Sequence, residues 1–485
     1  MSSIDEIKQA RLKKLELLRK AGIDPYPAKV PRDFAISEFK QNFANHESSG
    51  KEVSLAGRIM AIRGQGAILF VVLFDGTDKV QAVFKKDEMA EDVFNLFVET
   101  VDIGDFISVS GLAQKSKTGE ESLFVKHWVM ATKSLLPLPE KWAGLVDDDT
   151  RYRKRYLDLL VNSETRDLLI KKSKFWDVTR NFLKQNGFLE VETPTLEVTT
   201  GGAEARPFKT HHNDFDIDLF LRISVGELWQ KRLMAAGFPK TFEIGRVYRN
   251  EGSSPEHLQE FTNVEFYWAY ADFEDGIKFT EEMIKRVAEE TFGTLDFSTR
   301  GHSFSLRGNW EKISYVEKVK EVTGIDVLTA SISEMESKLK ELGVVYEGRN
   351  KERLTDTLWK YCRKQIAGPV WLVDVPKLVS PLSKSKKDNP ELTERVQLIL
   401  AGAEVTNGFS ELNDPIDQRA RFELQQKLIE SGDVEAMMPE WEFVEMLEHG
   451  MPPAFGFAYG ERLFAFFADK PLRELQTFPL MRPKI

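Results

Sequence analysis

The sequence predicts an α+β chain of several domains, a small β-barrel followed by an antiparallel sheet flanked by helices. Three observations carry that expectation. The chain has 485 residues, too many for one hydrophobic core. Over residues 52–135, short β-rich runs recur between clusters of Gly, Asp and Lys. From Thr150 onward, helical periodicity and apolar strand-like runs alternate to the end.

The barrel is read from five runs: Val53–Ile62, Ala67–Phe74, Val80–Phe84, Phe106–Leu112 and Leu123–Val129. Their number and spacing favour an OB-fold over residues 51–135. Such barrels grip single-stranded nucleic acid by stacking bases on aromatics beside cationic side chains. Arg58, Arg63, Phe70 and Gln81 are of the right types, although Phe70 suits the barrel core equally well. In front, residues 1–50 form a helix and a lead-in. The helix is expected over 3–21, capped by Ser3 and Glu6 and stopped by Gly22 and Pro25. Its excess of Lys and Arg reads as a solvated face or as an RNA-touching arm. Pro137-Leu138-Pro139 marks a linker over 136–150. In the second domain, 151–485, helices are expected at 163–186, 273–291, 331–342, 351–366 and 414–431. Strands are expected at Thr241–Ile244, Val264–Tyr270, Val370–Val373 and Val396–Ala401, and the stretch 300–366 reads as largely helical.

Composition narrows the function. Thirty-four Phe and nine Trp supply ample core, and the formal charge of −10 confines any RNA contact to local basic patches. Cys362 is the single cysteine, which excludes a disulfide framework or a cysteine-based zinc site; the seven His are not at zinc spacing. No apolar run approaches the ~20 residues of a membrane span, and residues 1–22 are charged throughout, so a cytoplasmic location is expected.

Four segments carry chemistry. In the first, an apolar strand runs into Arg249, with Glu251 two residues on; an arginine there forks onto a phosphate or carboxylate. The second begins after a Gly/Ser/Pro loop, where His257 and Phe261 precede a returning strand with Glu265 and Tyr267. A hairpin of this kind can cradle a nucleotide, with Phe261 stacked on the base. A carboxylate amid apolar neighbours, as Glu265 is, must be paired or functional. The third, Glu404–Asp414, is dense in oxygen ligands suited to Mg²⁺ held with substrate phosphates. The fourth is a Gly-containing strand, Gly456–Gly460, leading into a helix with Arg462 near its start, a favourable anion site.

Taken in order, these segments resemble motifs 2 and 3 of the class II aminoacyl-tRNA synthetases, and Phe188–Pro194 resembles motif 1. The barrel in front points to the aspartate, asparagine and lysine subgroup. Within it the chain is similar over nearly its whole length to the lysyl-tRNA synthetases. The telling stretches are Ala56–Gly64, Thr150–Leu159, Gly201–Phe208 and Asn407–Asp414. The resemblance implies an ATP-dependent enzyme that joins L-lysine to its tRNA through a lysyl-adenylate, works with Mg²⁺ and forms a homodimer through motif 1. It implies Arg249 and Arg462 as catalytic arginines. Arg249, Glu251, His257, Phe261 and Arg462 would form the ATP site. Glu227, Arg249, Glu265, Tyr267, Asn407 and Glu411 would bind lysine. Glu404 with Gln397 would hold the metal, and Arg58, Phe70 and Gln81 the anticodon. The lysine assignment suits the residues, because Glu227 and Glu411 can pair an ε-ammonium.

Three positions depart from the family. Gln397 stands where a second metal-binding Glu is usual, so weaker or fewer metals are expected. Glu256 precedes His257 where an Arg is usual, and should point away or pair with a cation. Motif 3 is one residue short before Glu461, so a bulge or shifted helix start is expected. These departures also admit a non-catalytic tRNA-binding relative, and the subgroup admits an asparagine or aspartate ligase.

Overall fold

The computed structural model describes residues 4–64, 66–139, 145, 147–203, 205–346, 350–432 and 436–484. The cap at Ser3, Glu204 of the Gly201–Phe208 stretch and part of the 136–150 linker lie outside the described residues. The chain forms two compact units, Met1–Asp148 and Asp149–Ile485.

In the first unit, helix α1 (Ile4–Lys20) precedes strands β1 (Val53–Arg63), β2 (Ile68–Phe74) and β3 (Lys79–Lys85). Helix α2 (Glu91–Thr100) and strands β4 (Phe106–Lys115) and β5 (Glu121–Thr132) follow. The strands close into a barrel in the order β1-β2-β3-β5-β4. Alternation makes it close: Leu69, Val71 and Leu73 of β2 point inward, while Phe70, Val72 and Phe74 face out. Helix α2 was not foreseen. Its Phe97 ring lies 4.1 Å from Phe84 and 5.3 Å from Trp128, adding aromatic mass to the barrel core. The basic face of α1 is partly structural. Arg11 is buried and donates to the carbonyls of Ile103, Ser134 and Leu136, and Lys14 pairs with Asp102 at 2.6 Å.

The second unit is built on a mainly antiparallel sheet. In chain order its main elements are α3 (Ser163–Gln185), β6 (Leu189–Glu190), α4 (Glu227–Ala235), β7 (Lys240–Tyr248), β8 (Glu260–Ala269) and α5 (Phe273–Phe292). Strand β9 (Glu311–Ser314), α6 (Lys351–Cys362), β10 (Val370–Val373), β11 (Arg395–Leu400) and β12 (Ala403–Glu404) follow. Strands β13 (Thr406–Ser410) and β14 (Ala454–Gly460) and helix α7 (Glu461–Ala468) complete it. The strand order is β9-β10-β11-β13-β14-β8-β7-β6, with β12 beside β11. Only the edge pairs β9/β10 and β7/β6 are parallel. Helices α3, α5 and α7 cover one face, where Phe175, Phe182, Ile284 and Phe464 pack with Phe266 and Phe457 of the central strands.

Two stretches differ in detail from expectation. The stretch 300–366 opens with strands His302–Ser305 and Glu311–Ser314, and its helices begin only at Tyr315; alternating side chains over a short span dominate there. Of the two outcomes expected for motif 3, the bulge is absent: β14 pairs residue for residue with β8 from Ala454↔Ala269 to Gly460↔Asn263, and α7 starts at Glu461, directly after the strand. The buried Glu461 carboxylate fixes that start. It accepts from the Thr262 backbone N–H at 2.9 Å and pairs with Lys172 at 2.9 Å.

Candidate active site and nucleic-acid face

The hairpin β7–β8 runs in continuous register from Lys240↔Trp268 to Tyr248↔Glu260, which brings its loop, residues 249–259, to the sheet end beside β14 and α7. A cavity of about 410 Å³ opens there. It is lined by every second-unit residue expected to bind ATP, lysine or metal: Glu227, Arg249, Glu251, His257, Phe261, Glu265, Tyr267, Gln397, Glu404, Asn407, Glu411 and Arg462. Ser380, Ser383 and Arg395 also line it and were not anticipated, because they arrive from segments distant in sequence; Gly456, from the fourth segment, lines it too.

One end of the cavity is cationic. Arg249 Nε and Nη2 both donate to the Ile223 carbonyl at 3.3 Å, and the guanidinium stands over the Phe261 ring at 5.5 Å. Arg462 Nη1 donates to the Glu404 carbonyl at 3.2 Å, and its Nη2 lies 2.6 Å from His257 Nε2. A guanidinium only donates, so Nε2 is the acceptor and the His257 proton sits on Nδ1, 2.7 Å from Ser254 Oγ. His257 is exposed at its edge. Even so, partial desolvation followed by the charges of Arg462, Arg249, Lys360 and Arg363 holds its pKa down at about 4, so it is neutral at physiological pH. Burial lowers Arg462 to about 10, opposed by Glu404. Glu256 pairs with Arg300, one of the two outcomes expected for an acid at this position.

The other end is a buried nest of carboxylates. Glu265 Oε1 accepts from the Val225 N–H at 2.7 Å and the Asn263 amide at 3.3 Å, and Oε2 accepts from the Tyr267 hydroxyl at 3.1 Å. Burial raises its pKa to about 7, with the Glu227 charge adding to the rise. Burial raises Glu411 to about 8; Lys231 opposes the shift, and Glu227 and Glu265 reinforce it. Glu227 and Glu411 are joined by Lys231, at 2.8 Å and 2.5 Å. Sequence reasoning passed over that lysine, although the Glu227–Lys231 spacing of one helical turn was a usable signal. Glu411 Oε1 has no hydrogen-bond partner.

Gly456 makes room for this end. A Cβ built there would meet Glu411 Oε1 at 2.1 Å and Tyr267 Cε1 at 2.7 Å. Gly456→Ala is expected to raise KM for the amino-acid substrate about tenfold or more by displacing the carboxylate. KM for ATP should stay within about twofold, since a strand change of this size is local. Steady-state exchange kinetics check it.

Glu404 and Gln397 both line the cavity. The Glu404 carboxylate accepts from Trp359 Nε1 and pairs with Arg363. In the first unit, Arg58, Phe70 and Gln81 share the outward barrel face. Arg58 lies opposite Phe74, Gln81 lies opposite Val72, and Phe70 is two residues along from Val72. Phe70 thus stands outside the core. Phe74 belongs to the same patch, with Lys79 Nζ 5.8 Å from its ring centre.

The architecture and the cavity are those of one family, and comparison with known proteins agrees. Residues 147–482 match the class II tRNA synthetases (D, K and N), and residues 53–131 match the OB-fold nucleic acid binding domain. The chain belongs to the class II tRNA synthetases of that group. It is similar along its length to the lysine–tRNA ligase of Thermotoga maritima, at 43% identity over 487 residues, covering 99% of this chain and 97% of that protein. It is likewise similar to the lysine–tRNA ligases of Carboxydothermus hydrogenoformans (43%, covering 99% of each chain) and Moorella thermoacetica (41%, covering 99% and 98%).

Proposed function

We propose that the chain is a lysine–tRNA ligase that activates L-lysine with ATP and transfers it to tRNA. The observation that carries this is the buried end of the cavity. Glu411 holds an unpartnered oxygen there, beside two further buried carboxylates, and the neighbouring Lys231 is already paired. A site like this favours a cationic side chain. An aspartate side chain would add another negative charge, and an asparagine amide would offer a donor but no positive charge, so both are disfavoured beside these buried carboxylates.

Arg249 and Arg462, with Phe261 on β8, serve the nucleotide. Lysine's carboxylate oxygen attacks the α-phosphorus, and pyrophosphate departs with the electrons of the broken P–O bond. Arg249 balances the charge that spreads over the phosphoryl oxygens. The terminal hydroxyl of the tRNA then attacks the lysyl carbonyl carbon, and AMP leaves. Neutral His257 keeps Arg462 pointed at the phosphate end without adding charge. Glu404 and Gln397 are the residues that would hold a divalent cation; the Glu404 carboxylate is already shared with Trp359 and Arg363, so the cation would be held chiefly by substrate phosphates. Bound there, Mg²⁺ would supply positive charge to those phosphates. The barrel face of Arg58, Phe70, Phe74 and Gln81 reads the anticodon by stacking and base-edge hydrogen bonds.

A homodimer through the motif 1 segment is part of the proposal, supported by the apolar Leu189, 49% exposed on edge strand β6. A cytoplasmic site of action is proposed with it; no helix among the described residues is long and apolar enough to cross a membrane. The deciding experiment is pyrophosphate exchange into ATP, run with each amino acid across a range of Mg²⁺. Lysine alone is expected to support it. Exchange with asparagine or aspartate instead, or tRNA binding with no exchange at all, sinks the proposal.

A further inference from the structure

Helix α4 carries Glu227 and Lys231 one turn apart; Glu227 lines the cavity, and Lys231 is buried behind it, against Glu227 and Glu411. Lys231 Nζ sits between Glu227 Oε1 and Glu411 Oε2. Only 1% of its side chain is exposed, and the rings of Phe409, Tyr267 and Phe443 surround it at 5.2, 5.8 and 5.8 Å. The protein therefore places an ammonium of its own against the two carboxylates that the substrate's ammonium is to meet.

The charges that face one another here are Glu227, Glu265, Glu411, Lys231 and Arg249, with the Tyr267 hydroxyl among them. Glu265 is satisfied by the Val225 N–H, the Asn263 amide and the Tyr267 hydroxyl, with Arg249 attracting it from the nucleotide side. Glu227 is met by Lys231. Glu411 shares the same ammonium through Oε2, and its Oε1 stays unmet above the bare Cα of Gly456. The nest is one cation short.

We infer that Lys231 is a positioning and specificity-determining residue. It neutralises one of the two carboxylates and turns Glu411 Oε1 to the cavity, so the pocket takes one further ammonium. The inference rests on the lysine-ligase reading above. Its physical basis is that two carboxylates buried side by side do not both stay ionised without a cation between them. Remove the internal ammonium, and nothing opposes the burial that favours a proton on Glu411, so that proton is held to still higher pH. The pocket then loses the charge by which it selects lysine.

The test is exchange kinetics on full-length Lys231→Met, which keeps most of the length of the side chain and removes its charge. Wild-type protein comes first; if it shows no lysine-dependent exchange, the lysine-ligase reading fails, whatever Lys231 does. Given wild-type activity, KM for lysine is expected to rise about tenfold or more, with KM for ATP within about twofold because the nucleotide end is untouched. The acid limb of kcat/KM for lysine should also move to higher pH. Wild-type KM for lysine in a folded variant overturns the inference. So does a parallel rise in both KM values, which marks a general structural role. Lys231→Gln is judged by the same criteria if the Met variant does not fold, and failure of both to fold also overturns it.

Discussion

Replacing Arg249 by alanine is expected to lower lysine-dependent ATP–pyrophosphate exchange by about 10²–10³-fold, the range for loss of one preorganised charge aimed at a transition state. The guanidinium is fixed before substrate arrives, by two hydrogen bonds to the Ile223 carbonyl and by the face of Phe261. Burial lowers its pKa, with Glu251 and Glu265 opposing, so its charge lies in a poorly solvated site where it acts strongly. The cut removes that charge from the lysine carboxylate and the α-phosphate together, so kcat should fall more than KM for ATP rises. Arg249→Lys restores a point charge without the planar fork and should recover only part of the rate. Single-turnover formation of lysyl-adenylate measures the step directly. A folded alanine variant within tenfold of wild type would remove Arg249 from the chemistry.

The contrast between Arg249 and its surroundings shows how far the sequence could be read. The strand before it, the hairpin loop and the returning strand are legible because apolar runs and a Gly/Ser/Pro break report local structure. The five barrel strands are legible for the same reason: alternation along β2 separates Leu69, Val71 and Leu73 from Phe70 and Phe74. Helix α2 was not legible, because ten residues with two core phenylalanines fit the gap between strands equally well. Contacts across the chain were out of reach. Arg300 lies 44 residues from Glu256, and Arg363 lies 41 from Glu404; no spacing rule pairs them. The bulge expected in motif 3 came from counting residues against a family pattern. Continuous pairing on both sides of β14, with Glu461 tied to the Thr262 N–H, absorbs the missing residue without one.

Glu411→Gln should act at the opposite end of the same cavity. The amide keeps the shape and loses the charge, leaving Lys231 with Glu227 alone. KM for lysine is expected to rise by about 10²–10³-fold, as when one member of a buried charge pair is removed, while KM for ATP stays within about twofold. The pH profile adds an independent reading. In the free protein the Glu411 carboxyl is raised from 4.5 to about 8, so folding favours its protonated form. That contribution to stability is full below about 4.5 and is lost as pH rises through about 8. A bound lysine supplies its ammonium where the proton was, and this ammonium stays charged over the whole interval. Lysine should therefore raise the melting temperature more at pH 8 than at pH 6. The kcat/KM for lysine should climb with pH to a plateau above about 8. In the glutamine variant that limb should drop to about 7, where Glu265 ionises. An unmoved limb together with an unchanged KM would mean that the ammonium of the substrate is read elsewhere in the cavity.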